Sequence, residues 1–173
     1  MRVFYPDADL LEGNFHRVLR SLRGSMKFWT SLPLSPIGRS SISKMLILLR
    51  LLYYFSALPL IIPKSFFTEL NSLLGELIWG PNRHRVALNK LFIPLSEGGL
   101  GVPNFEWHYA AAQLQWPTRW LAEAQSTEAR WVQRSLGTKD IYNWLSDPGM
   151  ASPPGMAAMQ TARRVWRKYV INR

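Results

Sequence analysis

Cysteine is absent from all 173 residues. That excludes disulfides and any cysteine-ligated zinc or iron–sulfur centre. It also suits a reducing compartment, so an intracellular location, cytoplasmic or nuclear, is expected. Acid is scarce: 11 Asp and Glu stand against 21 Lys and Arg, a net charge of +10, and the pI is about 10.4. From Gly13 to Thr68 there is no acid at all, yet eight cations fall there: Arg17, Arg20, Arg23, Lys27, Arg39, Lys44, Arg50 and Lys64. A second basic cluster, Arg163, Arg164, Arg167, Lys168 and Arg173, closes the chain. The first thirteen residues lack the apolar centre of a signal peptide, so none is expected. His16, His84 and His108 have no partners at metal-ligand spacing. Gly98-Gly99-Leu100-Gly101 lacks the Lys-Ser/Thr of a phosphate loop and reads as a turn. No catalytic residue, metal site, cofactor or small-molecule ligand is expected.

What is present is apolar and aromatic. Hydrophobic residues make up 47% and aromatics 13%, with eight Trp, enough for one domain, or one domain and a tail, to build a core. Excess positive charge on such a chain favours a polyanionic partner, nucleic acid or an anionic membrane surface.

The patterning is helical. Asp9-Leu10-Leu11-Glu12 has capping-box spacing. A helix then runs to about Trp29, with Phe15, Val18, Leu19, Leu22, Met26 and Trp29 on one face and Arg17, Arg20 and Lys27 opposite. Pro33 and Pro36 break it. Ser35 can cap the next helix with Pro36 at its first position, and that helix runs from about Ile37 to Ala57. A third spans Pro63 to Trp79, with Phe66, Phe67, Leu70, Leu73, Leu74, Leu77 and Ile78 on its apolar face, before Gly80-Pro81 stops it. Val86 to Phe105 reads as an extended arm or small hairpin that turns at Glu97-Gly98-Gly99. Further helix follows from about Asn104, kinked or ended at Pro117, then from Thr118 to Gly137. Asp147 to Gly155 reads as a Pro/Gly linker, and a basic helix or tail runs from Ala157. The segments are thus 1–80 (helical bundle), 81–146 (arm and helices), 147–156 (linker) and 157–173 (basic end).

Met45 to Ile62 holds one charge, Arg50. At a membrane centre each Leu or Ile contributes about −0.5 kcal/mol and an Arg about +3, so roughly ten aliphatics leave a marginal balance. Pro59 breaks the run, and the amphipathic helix after it needs an apolar partner. A buried helix is therefore the expectation, with a membrane-associated small protein as the alternative. Tyr5-Pro6-Asp7-Ala8-Asp9 reads as a solvated turn and N-cap: a two-metal site needs several carboxylates on rigid elements, and no strand-like sequence precedes these acids.

The pieces LPLSPIGR (32–39), ALPLIIPKSFF (57–67), LIWG (77–80) and EGGLGVPNF (97–105) occur in that order. Across about residues 10–122 the chain resembles the segment that follows the palm in LINE-type (non-LTR) retrotransposon reverse transcriptases. The resemblance implies a mainly α, thumb-like helical bundle with a short extended arm or hairpin and further C-terminal helices. It also implies a fragment of a longer reading frame, without fingers, palm or endonuclease, and therefore not an enzyme by itself. The expected function is gripping the backbone of RNA or an RNA–DNA duplex through Arg17, Arg20, Arg23, Lys27, Arg39, Lys44, Lys64, Arg83 and Arg85. Arg39 and Lys64 come from the family-like Pro-Ile-Gly-Arg and Pro-Lys-Ser-Phe-Phe pieces. A structural helical module with no specific ligand stays open as a further alternative.

Overall fold

The computed structural model describes residues 11–80, 86–150 and 156–171. Helix α1 (Arg17–Ser31) is entered through a π-helical turn, Leu11–His16. The capping residue expected at Asp9 lies outside the described residues. Beyond Leu32 the chain re-enters helix at Ser35, whose side chain accepts from the Gly38 N–H at 3.2 Å, with Pro36 in the first position. The single helix expected from Ile37 to Ala57 is present as α2 (Pro36–Ile42), a π-helical stretch (Ser43–Leu48) and α3 (Leu49–Ala57). Helix α4 (Lys64–Trp79) starts directly after Pro63 and stops at Gly80, whose φ of 63° suits glycine.

The chain divides into two compact units, one of Met1–Tyr54 with Ile62–His108, the other of Phe55–Ile61 with Tyr109–Arg173. In the first, α1 and α2 both pack on α4. All seven apolar residues expected on α4 are buried, as are Val18, Leu19, Leu22 and Met26 of α1. The Phe15 ring meets Phe66 edge-on, 5.5 Å between centroids. Each fully buried side chain of this size contributes about 1.5–3 kcal/mol by leaving water.

The stretch expected as an arm or hairpin contains a short helix α5 (Leu88–Leu91) and a 3₁₀ turn (Leu95–Glu97). It then folds back: the Leu91 carbonyl accepts from the N–H groups of Leu100 and Val102, at 3.3 and 3.0 Å, and the Ile93 carbonyl from that of Gly101, at 2.8 Å. The return is hairpin-like, but no strand forms among the described residues. Gly98 takes a φ of 84°, and a Cβ on Gly99 would stand 1.9 Å from the Ile93 oxygen. Both positions therefore require glycine, one for its dihedral and the other for the close approach.

Helix α6 (Phe105–Ala122), which belongs to the second unit from Tyr109 on, runs through Pro117 rather than ending there. It is followed by α7 (Thr127–Leu136), α8 (Ile141–Ser146), α9 (Ala157–Trp166) and a π-helical end, Arg167–Ile171. Trp120, Val132, Trp144, Leu145, Met159 and Trp166 share one buried cluster. Hydrogen bonds hold the segment 55–61 in this unit. The buried Gln113 amide donates to the Phe55 and Leu58 carbonyls. Tyr109 donates to Leu60 at 2.8 Å and Thr161 to Pro59 at 2.9 Å. Among the described residues, no helix is long and apolar enough to cross a membrane.

Candidate nucleic-acid interface

The apolar face of α1 fixes where its cations go. With Val18, Leu19, Leu22 and Met26 turned inward, the 3.6-residue repeat leaves Arg17, Arg20 and Lys27 exposed on the other side. Arg50 of α3 joins this face, donating weakly from Nη1 to Ser21 Oγ at 3.4 Å. Between them lies a groove of about 510 Å³ lined by Arg17, Val18, Ser21, Arg50, Tyr53 and Tyr54, with no carboxylate among the described lining residues. Tyr53 is 63% exposed. Tyr54 beside it is anchored on the buried Phe15 ring, 5.9 Å between centroids. The groove thus offers two guanidinium groups and an aromatic face on a rigid base.

The other expected site residues are placed differently. Arg23 pairs with Glu69 of α4 at 2.7 Å, so its charge is locally matched. Arg39 turns inward. Its guanidinium donates to the carbonyls of Leu34 (3.2 Å), Leu77 (3.0 Å), Thr30 (3.4 Å) and Leu32 (3.4 Å). Those of Thr30 and Leu77 belong to the last turns of α1 and α4, where carbonyls lack intrahelical partners and the helix dipole favours a cation. Those of Leu32 and Leu34 belong to the link after α1, Leu32 also accepting from the Leu34 N–H at 2.8 Å. Arg39 is a clamp on helix ends, and its donors are committed to the backbone. Lys44 is exposed, with its ammonium 3.5 Å from where a Gly101 Cβ would sit. Lys64 is exposed at the first residue of α4. Arg83 and Arg85 lie outside the described residues, as do His84 and Tyr5 to Asp9.

The structure therefore brings Arg17 together with Arg50 and Tyr53, and sets Arg20 and Lys27 farther along the same helix face. Arg50 and Tyr53 were missing from the sequence-derived site. The signal was present, because they stand three apart on one helix side. In an almost wholly apolar run, however, nothing local marks which side meets solvent.

Among the described residues no group of three or more His, Asp or Glu could hold a metal ion. Partial burial lowers the pKa of His108 from its ordinary 6.5. No protein-family model matches the chain.

Proposed function

We propose that the chain is a non-catalytic, thumb-like nucleic-acid-binding piece of a LINE-type reverse transcriptase, gripping RNA or an RNA–DNA duplex by its phosphates. The observation that carries the reading is the acid-free basic groove between α1 and α3, where Arg17 and Arg50 flank the exposed Tyr53. Arg20 and Lys27 extend the positive face along α1. Cations on a helix face can contact backbone phosphates, and such contacts carry no base preference. Arg39 and Arg23 support this face by holding α1 against its neighbours.

The test is salt-dependent binding to RNA and to RNA–DNA duplex. If about four to six phosphates are neutralised, log K falls against log salt with a slope of roughly −3 to −5. Replacing Arg17, Arg20 and Lys27 together by Gln is expected to weaken binding to all sequences alike and to flatten that slope. Loss confined to one sequence points to base readout. No binding at about 50 mM salt, where phosphate contacts are strong, leaves an inert helical module. The reading also expects no nucleotide incorporation in a primer-extension assay with Mg²⁺, and reproducible extension overturns it.

A further inference from the structure

The second unit holds a pocket of about 420 Å³, within the roughly 300–1,000 Å³ of small-ligand sites. Trp116 and Trp120, one turn apart on α6, line it with Trp131 of α7. Trp120 is 5% exposed and belongs to the core, whereas Trp116 and Trp131 are 37% and 55% exposed. Two indoles are thus partly exposed beside a buried third, with Pro59 also lining the pocket. The polar side chains in the lining are those of Ser56 and of Thr127 and Glu128 at the start of α7.

Charge decides among occupants. An aromatic pocket with one carboxylate fits an alkylammonium ion in principle. Here Glu128 already faces Arg119, 3.9 Å away, and the Arg119 guanidinium stands 5.8 Å from the Trp116 ring. Arg130 and Arg134 are exposed elsewhere on α7, Arg130 donating to Gln125 Oε1 at 3.1 Å. The carboxylate is already matched by Arg119, so a cationic ligand gains little there. A flat heteroaromatic ring carrying negative charge outside the pocket meets stacking faces within and cations around it.

We propose that this tryptophan pocket accepts one unstacked base of a single-stranded RNA or DNA, with the half-exposed Arg119 beside it for a flanking phosphate. A base stacks on the exposed indole of Trp131 and can present edge N–H groups to Glu128, Thr127 or Ser56. A paired base cannot enter, because its faces are stacked and its edge is occupied. The site lies in a different unit from the α1–α3 groove and reads unpaired bases, whereas that groove reads phosphates of any strand.

The full chain is titrated with a single-stranded oligonucleotide and with the matching duplex, followed by tryptophan fluorescence and by anisotropy of a labelled strand. Base–aromatic stacking contributes about 1–3 kcal/mol per base, so Trp131→Ala is expected to weaken the single strand roughly 5- to 150-fold while duplex affinity holds within about twofold. Trp131→Phe keeps a stacking face and is expected to restore much of the loss. Because Trp131 is over half exposed, the alanine variant spares the buried core. A thermal melt like that of wild type confirms that the fold is kept.

An unchanged single-strand affinity in Trp131→Ala overturns the proposal, as does an equal loss for both polymers. Saturable quenching by tetramethylammonium, lost in Trp131→Ala, also overturns it in favour of a cation site. The triple variant of Arg17, Arg20 and Lys27 separates the two sites: it is expected to weaken the duplex and leave the dependence on Trp131 in place. Single-strand binding that needs Trp131, with no duplex binding at all, supports the pocket and defeats the backbone reading alone.

Discussion

Arg39→Ala removes a side chain that ties together the end of α1, the link after it and the end of α4, the last of these 38 residues along the chain from Arg39. Four carbonyls lose a charged donor, two at 3.0–3.2 Å and two at 3.4 Å. A hydrogen bond to a charged group contributes about 1.5–3 kcal/mol when its partner is left unsatisfied. The two longer contacts contribute less, and water can reach some of the freed helix-end carbonyls because the site is only half-buried. A total of about 2–4 kcal/mol follows. For a chain of this size each kcal/mol moves Tm by about 2–4 °C, so the melt is expected to fall by roughly 4–16 °C. Arg39→Lys keeps the charge but lacks the planar fork, so it is expected to fall between the two. Thermal melts by circular dichroism, with urea unfolding alongside, measure the loss. Nucleic-acid affinity, taken where the variant is still folded, is expected to change less than twofold. A variant that melts with wild type but binds RNA poorly refutes the clamp and returns Arg39 to the interface.

Two more perturbations follow from the same geometry. Gly99→Ala sets a Cβ against the Ile93 backbone at 1.9 Å. Since backbone must move, a loss of about 1–3 kcal/mol is expected, read as a lower urea midpoint; an unchanged midpoint contradicts the tight return at 93–101. His108 is held below its ordinary 6.5 by burial, so the unfolded chain takes up its proton first. Its contribution is intact above about pH 6.5 and is eroded as pH falls from there towards the folded value. His108→Gln is expected to flatten the fall in stability as pH drops below about 6.5, and an unaltered profile removes the histidine from the explanation.

Local periodicity decided most of the helices. The apolar set at 66, 67, 70, 73, 74, 77 and 78 repeats every 3.6 residues, so its face was legible in the chain and is buried as read. Ser35 and Pro36 likewise mark a helix start within three residues. The basic side of α1 follows from the same argument, because an apolar face opposite leaves the cations nowhere else to go. Residues 45–62 are different. Apolar side chains occupy every side there, so the pattern names no face. The structure buries Ile47, Leu51 and Phe55 and leaves Met45, Leu49 and Tyr53 more than 60% exposed. The π-helical stretch Ser43–Leu48 takes up an extra residue per turn and resets the register between the two halves. The role of Arg39 was equally out of reach. Its motif gives its identity and charge, but its partners are carbonyls brought to it by the packing of α1 and α2 on α4. A residue's type and its helical face are encoded within a few neighbours. Whether a cation meets phosphate or a helix end, and whether a Trp is core or open wall, depends on contacts between distant residues that only the folded chain supplies.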